Sequence, residues 1–340
     1  MTIETPKKLW KNEYFQTVIT LILLIAFVLG FWNITQIVLR TEYPVLAVSS
    51  GSMLPTLNVG DLIIIQGVDP EEINAAPLNG DIIVFRSKFN PNDLIVHRAI
   101  SSRPINGSLY EFKTKGDAGG EYQGQDQFSP WNSTMDFDGK TYKMLIGKVV
   151  GRIPWVGNFA LIMHSQQNIY LFTIVIIIII AIFLFFPFET GEEKKEGEEK
   201  LMLGKISLKM IYLIILNIFL VGLIIFSLWG TFTFWNPGAG SNSQGMYVTI
   251  YGMFSDVNFH KTHSNDIIEA ILSQSFLTYT INCELSGGEL RTGVPTFSWS
   301  QTAIIILIVL DAWNLVKILR KQGKMKIKKE RDDVGKAFET

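Results

Sequence analysis

Four long apolar blocks constrain this 340-residue chain more than any other feature of its sequence. A helix needs ~20 apolar residues to cross a hydrocarbon core of about 30 Å, and each block is about that long. The sequence therefore predicts a membrane protein with four transmembrane helices. We place these helices at residues 15–39, 169–187, 211–231 and 300–319.

The polar segments between the blocks predict the orientation of the chain. Lysines precede the first block and a basic tail follows the last, and such flanks are typical of the cytoplasmic side. The first block is longer than the apolar part of a cleaved secretory signal and lacks a small-residue cleavage site, so we interpret it as an uncleaved anchor. We predict a cytoplasmic N-terminus, a charged cytoplasmic loop and a basic cytoplasmic tail at residues 1–14, 188–210 and 320–340.

The first of two extracytoplasmic regions, residues 40–168, is predicted to be a small β-rich domain. Short apolar runs alternate there with turn signals such as Asn79-Gly80, which is the pattern of strands joined by tight turns. The predicted strands lie at residues 62–65, 81–85, 94–97 and 143–153.

The second extracytoplasmic region, residues 232–299, is predicted to be a separate, smaller α+β domain. Asp266 followed by Glu269 matches the capping pattern at the start of a helix. Residues 246–254 and 277–285 are predicted strands. Nothing in the sequence assigns a role to this region.

Composition argues against several classes of function. The net charge is −1, so no overall basic field attracts nucleic acid. Cys283 is the single cysteine, which excludes an intramolecular disulfide. The four histidines are too scattered to indicate a metal cluster. We expect no nucleic-acid partner, no metal and no organic cofactor.

The stretch Ser49-Ser50-Gly51-Ser52-Met53-Leu54-Pro55-Thr56, soon after the first block, contains a candidate nucleophile. Gly51 would let the backbone approach a bound carbonyl and Pro55 would stiffen the exit of the turn, which suits an exposed and rigid Ser52. Serines in such stretches more often act as turn formers, so the stretch alone leaves both interpretations open.

A general base for Ser52 has few candidates in the first region. His97 lies in a predicted strand, where a neutral imidazole could accept the seryl proton if a carboxylate fixed its tautomer. A histidine packed in the core is the alternative. Asp117 and Asp126, both in glycine-containing loops, are candidate carboxylates, and each is equally consistent with a turn.

Six short motifs in this half of the chain resemble, in order, the conserved boxes of type I signal peptidases. Bacterial members carry lysine at the place of His97, so the histidine resembles the archaeal and endoplasmic-reticulum branch. The resemblance covers roughly residues 15–190. The motifs are Ser50-Gly51-Ser52-Met53-Leu54-Pro55-Thr56, Gly60-Asp61, Gly80-Asp81-Ile82-Ile83-Val84-Phe85, His97-Arg98, Lys115-Gly116-Asp117 and Gly147-Lys148-Val149-Val150-Gly151.

The resemblance implies a β-rich extracytoplasmic catalytic domain that is anchored in the membrane. It implies Ser52 as the nucleophile, His97 as the general base and Asp117 as the residue that orients the base. Ser50, together with the backbone N–H of Ser52, is then expected to form the oxyanion hole.

The carboxylate region departs from the family pattern. Members often carry a second aspartate about six residues after the first, but this chain has Gln123 there. Asp126 would match with a short insertion, and Glu121 is a rival. The carboxylate that orients the base is therefore predicted to be Asp117, Asp126 or Glu121.

We predict a membrane-bound serine endopeptidase that cleaves N-terminal signal peptides from secreted preproteins. Expected partners are preproteins, the lipid bilayer, and the secretion translocon or other subunits. The expected location is a cell membrane or an endoplasmic-reticulum membrane. One alternative is a Ser-Lys peptidase that uses Lys113 or Lys115 as the base. Another is a catalytically degenerate membrane sorting or assembly subunit.

Overall fold

The structure is a computed structural model that describes most of the chain and divides it into two compact units. The first unit comprises residues 1–198 and 231–297, and the second comprises residues 199–230 and 298–340. The residues described are 13–118, 130–164, 202–203, 206–240 and 245–337.

Five helices and seventeen strands are formed by the described residues. The helices are α1 (Glu13–Leu39), α2 (Gly157–His164), α3 (Leu208–Trp229), α4 (Met253–His263) and α5 (Trp299–Ala337). The strands are β1 (Val45–Ala47), β2 (Leu62–Gln66), β3 (Ile82–Arg86), β4 (Leu94–Asn106), β5 (Leu109–Lys115), β6 (Trp131–Asn132), β7 (Thr134–Phe137), β8 (Lys140–Lys143), β9 (Leu145–Ile153), β10 (Met202–Leu203), β11 (Ile206–Ser207), β12 (Thr231–Asn236), β13 (Met246–Tyr251), β14 (Ile267–Ser275), β15 (Thr278–Leu285), β16 (Leu290–Arg291) and β17 (Thr296–Phe297).

Helix α1 leads the chain into the first unit. Its stretch Phe15–Leu39 is long and apolar enough to cross a membrane, as predicted, and its apolar side chains are exposed. At its end the carbonyl of Leu39 accepts a hydrogen bond of 2.7 Å from the N–H of Gly67, just after β2. The anchor is therefore tied directly to the sheet.

An eleven-stranded sheet forms the centre of the first unit, and its main path runs β14-β15-β17-β9-β3-β4-β5-β6. Strand β2 joins this path through β9 and carries β1 at its other side. The apolar runs at 62–65, 81–85, 94–97 and 143–153 lie in β2, β3, β4 and β9, which confirms the predicted β-rich region.

Two buried apolar clusters stabilise this sheet. In β2, Ile63 and Ile65 are buried and their neighbours are not. In β3 all of Ile82–Phe85 is buried, because alternate side chains of this strand enter different clusters. The first cluster consists of Val68, Ile73, Ile83, Phe85, Ala99, Phe112, Trp131, Met144 and Leu145. The second consists of Val48, Met53, Leu57, Ile63, Ile65, Ile82, Val84 and Val294.

Residues 231–297 extend the first sheet and are not a separate compact unit, contrary to the two-domain prediction for this region. Strand β17 pairs in parallel with β9, at Thr296 and Arg152, and antiparallel with β15. Val294 also belongs to the second apolar cluster. The pairing satisfies backbone groups of β9 that would otherwise lie at an edge.

Secondary structure within residues 231–297 corrects one prediction. The helix start at Asp266 is wrong, because Ile267–Ser275 form β14 and pair along their length with β15. Strand pairing outweighs a local capping signal. The strand predicted at 277–285 is confirmed by β15, and the strand predicted at 246–254 ends at Tyr251, after which α4 begins.

The second unit contains α3, α5 and the short β10–β11 hairpin. Met210–Trp229 and Trp299–Arg320 are long and apolar enough to cross a membrane and match two predicted spans. The Asn217 amide donates a hydrogen bond of 3.0 Å to Asp311, which joins the two helices. The predicted span at 169–187 lies outside the described residues.

Candidate active site

The turn that carries Ser52 is anchored by the second apolar cluster, to which Met53 and Leu57 belong. Gly51–Met53 form one turn of 3-10 helix, closed by a hydrogen bond of 3.1 Å from the Leu54 N–H to the Gly51 carbonyl. The side chains of Met53 and Leu57 are only 1% and 0% exposed. This anchoring leaves Ser52 half-buried at the surface of the unit.

Ser50 and Ser52 lie on the same side of this turn. Their hydroxyl oxygens are 3.4 Å apart, and either hydroxyl can donate to the other. The structure thus places the predicted oxyanion-hole serine beside the predicted nucleophile.

Gly116 lies close to both Ser52 and His97. The peptide group between Asp117 and Ala118 contacts Ser52, since the Ala118 N–H donates a hydrogen bond of 3.0 Å to the Ser52 carbonyl. A Cβ atom at residue 116 would overlap the Ser52 carbonyl oxygen and would lie 3.5 Å from Nε2 of His97. A residue without a side chain is therefore required there, and it brings the predicted nucleophile and base to one place.

His97 is fixed by its strand. It lies in β4 opposite Ile83 of β3, and the residue is 5% exposed. Its ring packs edge-on against Phe85, with centroids 6.4 Å apart. The imidazole is thus buried in the sheet while Nε2 faces the side of Gly116.

Asp117 is clamped by Arg98. The Arg98 Nε and Nη2 atoms donate to the two carboxylate oxygens of Asp117 at 2.8 and 2.6 Å, and the Thr56 hydroxyl donates to Oδ2 at 2.6 Å. Burial alone would raise the pKa of the Asp117 carboxyl, but the hydrogen bond and charge of Arg98 outweigh it and lower that pKa. We call Arg98, Asp117 and Thr56 the Arg98 cluster.

The predicted carboxylates and the alternative bases lie in different surroundings. The Asp117 carboxylate is bound by Arg98 and Thr56, and its backbone flanks Gly116 beside His97. Asp126 and Glu121 lie outside the described residues. Lys113 and Lys115, the alternative bases, have exposed side chains on β5, unlike the buried His97.

Comparison with known proteins relates about half of the chain to one kind of protein. No family model matches the chain. The signal peptidase complex catalytic subunit sec11 of Dictyostelium discoideum is 28% identical over 168 residues, which are 49% of this chain and 86% of that protein. The human catalytic subunit SEC11C is 28% identical over 163 residues, 48% of this chain and 79% of that protein. The homologues of this chain are signal peptidase catalytic subunits.

Sequence analysis of this signal peptidase homologue missed the roles of Arg98 and Thr56. The signal was present, because an arginine inside an apolar strand must find a buried acceptor. Arg98 also donates to the Gly80 carbonyl at 2.8 Å and to the Thr292 carbonyl at 3.0 Å. Thr292 belongs to the later segment, outside the region of family resemblance, so the sequence did not connect it with the site.

A second buried arginine lies behind the Ser52 turn. Arg152 donates to Asp61 at 3.0 Å, forms an ion pair with Asp256, and also donates to the Thr56 carbonyl at 3.2 Å. Asp256 also lies within ion-pair distance of His260, on the same helix α4. We call Arg152, Asp61, Asp256 and His260 the Arg152 cluster.

The two carboxyls of the Arg152 cluster are shifted in opposite directions. Burial raises the pKa of Asp61 to about 6, and the charge of Asp256 adds to this effect while Arg152 opposes it. Burial also acts to raise the pKa of Asp256, but the charges of Arg152 and His260 reverse the direction and lower it. One guanidinium cannot compensate two buried carboxylates equally.

Among the described residues, no group of three or more histidine, cysteine, aspartate or glutamate side chains could hold a metal ion. Cys283 is a buried free thiol. The described site brings together the polar groups of Ser52, Ser50, His97 and the Arg98 cluster.

Proposed function

We propose that this chain is a membrane-anchored serine endopeptidase that removes N-terminal signal peptides from secreted preproteins. The observation that carries the proposal is the position of Gly116, where a Cβ atom would overlap the Ser52 carbonyl oxygen and lie 3.5 Å from His97 Nε2. A serine held next to a buried imidazole suits acyl transfer by a Ser-His mechanism. The homology to signal peptidase catalytic subunits supports the same substrate class.

In this mechanism Ser52 Oγ attacks the carbonyl carbon of the scissile bond while His97 accepts the seryl proton. The Ser52 N–H and the Ser50 hydroxyl donate to the oxyanion of the tetrahedral intermediate. The C–N bond then breaks, His97 returns the proton to the leaving amine, and an acyl ester remains on Ser52. Water, deprotonated by His97, hydrolyses this ester and restores the serine.

The base also needs a carboxylate to fix its tautomer, and we propose Asp117 for this role, with Asp126 and Glu121 as rivals. Asp117 is ionised by its contacts with Arg98 and lies next to Gly116. The Asn or Gln variant of the true partner should lose about 10⁴-fold in kcat, as expected when a catalytic imidazole adopts the wrong tautomer. Kinetics of the three variants identify the residue.

The anchor supports a site close to the membrane surface. Ser52 follows the end of α1 at Leu39 by 13 residues, and Leu39 is itself bonded to Gly67 of the sheet unit. A signal peptide whose apolar segment lies in the bilayer would present its cleavage site at that level. We propose four spans, including 169–187, both termini in the cytoplasm, and a multi-pass protein of the cell or endoplasmic-reticulum membrane.

Cleavage of a preprotein by the purified, detergent-solubilised full chain tests the catalytic assignment. Ser52→Ala and His97→Ala should each lower kcat by roughly 10⁴-fold or more. The matched controls Ser101→Ala and His164→Ala change exposed residues and should retain activity. Retention of cleavage by the Ser52 or His97 variant would contradict the assignment.

The same assay separates the alternatives. A histidine base predicts a limb of the pH–rate profile near neutrality and only mild effects of Lys113→Ala and Lys115→Ala. Cleavage by the chain alone would show that the translocon or other subunits are dispensable for chemistry. A wild-type protein that binds preprotein without cleaving it would favour the degenerate sorting subunit.

A further inference from the structure

Residues 231–297 reach the catalytic site at three points. The Gly240 N–H donates to the Ser49 carbonyl at 2.7 Å, and the Thr292 carbonyl accepts from Arg98 at 3.0 Å. The third contact is a hydrogen bond of 2.9 Å from Nη1 of Arg291 to the backbone carbonyl of Asp117. The later segment therefore touches the stretch that carries Ser52 and the loop beside His97.

The Arg291 contact acts on a single peptide group. The Asp117 carbonyl and the Ala118 N–H belong to the same planar unit, and they point in opposite directions in a trans peptide. Arg291 binds the carbonyl, while the N–H donates to the Ser52 carbonyl at 3.0 Å. One peptide group thus connects Arg291 with the nucleophile, and Gly116 precedes it next to His97.

Arg291 is itself held in position. It lies in β16, where it pairs with Cys283 of β15. Two residues later, the Gly293 N–H donates to the Asn282 side chain at 3.0 Å, and a Cβ at residue 293 would overlap the Ile281 carbonyl. The guanidinium therefore extends from a strand that is held in place at its end.

We propose that Arg291 is a positioning residue for catalysis, and that residues 231–297 are in this way part of the catalytic apparatus. By orienting the Asp117–Ala118 peptide, Arg291 keeps the Ser52 carbonyl and Gly116 in place beside His97. A charged donor also polarises the peptide and strengthens the hydrogen bond that its N–H makes to Ser52. The inference rests on the proposed Ser52–His97 chemistry.

The test measures kcat and KM for preprotein cleavage by the full chain and three variants. Arg291→Met, which keeps the aliphatic stem, should lower kcat about tenfold through loss of a charge-assisted hydrogen bond, with KM within about twofold. Arg291→Lys should recover most of kcat, because an ammonium can also donate to the carbonyl. Arg103→Met is the control, since the Arg103 side chain is 72% exposed and forms an ion pair with the nearby Glu111.

The outcomes separate this inference from the proposed function. Wild-type kcat in Arg291→Met, or equal losses in the Met and Lys variants, would overturn the positioning role while the Ser52→Ala result stands. A wild-type protein as inactive as Ser52→Ala would instead remove the proposed function. If Arg291→Met does not fold, Asn282→Ala tests the positioning role instead, because it removes the hydrogen bond that holds Gly293, two residues after Arg291. A several-fold lower kcat supports the role, and an unchanged kcat overturns it.

Discussion

The Arg98 and Arg152 clusters place similar chemistry on two sides of the same turn. Each buries an arginine whose side chain is only 2% exposed, and each contains a contact with residues 231–297. Thr56 joins them, since its hydroxyl binds Asp117 and its carbonyl accepts from Arg152. The Ser52 turn is thus fixed from both directions.

The clusters differ in charge balance. Arg98 faces one carboxylate, so the pair is neutral, and the pKa of Asp117 is lowered. Arg152 faces both Asp61 and Asp256, and the charge of His260 acts beside Asp256, so burial leaves the pKa of Asp61 raised to about 6. The Arg98–Asp117 pair therefore keeps its charges over a wide pH range, whereas Asp61 makes the stability of the Arg152 cluster depend on pH.

Removal of each arginine should give the largest effect and separate the two clusters. Arg98→Met and Arg152→Met leave buried carboxylates without their cation, so each should lower the free energy of unfolding by about 3–5 kcal/mol. Among molecules that remain folded, the Arg98 variant should lose most of its kcat and the Arg152 variant should keep it. Unfolding in detergent and active-site-normalised kinetics measure both quantities.

Equal kcat losses in the two arginine variants would contradict the division of roles. A stability of either variant within 1 kcal/mol of wild type, roughly the effect of a surface substitution, would contradict the described burial. Arg103→Met, on the exposed part of β4, provides the matched reference.

The Arg152 cluster should contribute a pH-dependent stability through Asp61. The folded-state pKa of about 6 exceeds the ordinary 3.8, so the folded protein binds the proton more tightly and this contribution falls as pH rises through that window. Asp61→Asn removes this dependence. Relative to wild type, the variant should gain about 2 kcal/mol between pH 4 and pH 7.

Unfolding measured across that pH range for wild type and Asp61→Asn checks the prediction. The lowered pKa values of Asp117 and Asp256 act in the opposite direction, with stability lost as pH falls below about 3.8, and so lie outside the window. A pH-independent difference in stability between the two proteins would show that Asp61 does not bind a proton more tightly in the folded state.

A methyl group at Gly116 should disturb the contact between the Ser52 turn and His97. Gly116→Ala overlaps the Ser52 carbonyl, so we expect a loss of about 1–3 kcal/mol in stability from overpacking and a large loss of kcat. Gly287→Ala is the control, because its nearest atom lies 4.0 Å from the added carbon. Equal activity of the two variants would contradict the convergence at Gly116.

The smallest expected effect comes from Thr56, the member of the Arg98 cluster that also contacts Arg152. Thr56→Val removes the hydroxyl that donates to Asp117 and leaves the backbone carbonyl that binds Arg152. We expect a loss of about 1–2 kcal/mol with a reduced kcat. Thr56→Ser keeps the hydroxyl and should resemble wild type, and a similar loss in both variants would assign the effect to packing.

The sequence predicted the parts of the molecule that depend on local pattern. Apolar runs located β2, β3, β4 and β9, and the order of short motifs selected Ser52 and His97, which the structure places near each other beside Gly116. The Arg152 cluster was not predictable in the same way, because its carboxylates lie 91 and 104 positions away. An arginine within an apolar strand indicates that it has a buried partner, but the sequence does not identify that partner.

The same limit explains the errors in residues 231–297. A capping pattern at Asp266 is a local signal, and pairing with β15 overrides it. The assignment of this region to the first sheet depends on the contact of Thr296 with Arg152, which no local pattern encodes. Arg291 was missed for this reason, since its guanidinium contacts a loop 174 positions earlier.

Mass spectrometry of a trapped acyl-enzyme tests the central claim most directly. The full-length protein would be incubated with a slowly deacylating peptide ester that has small residues at the first and third positions before the scissile bond. The account predicts one covalent adduct on Ser52, formed by wild type and lost in His97→Ala. An adduct on another residue, or unchanged acylation in His97→Ala, would contradict it.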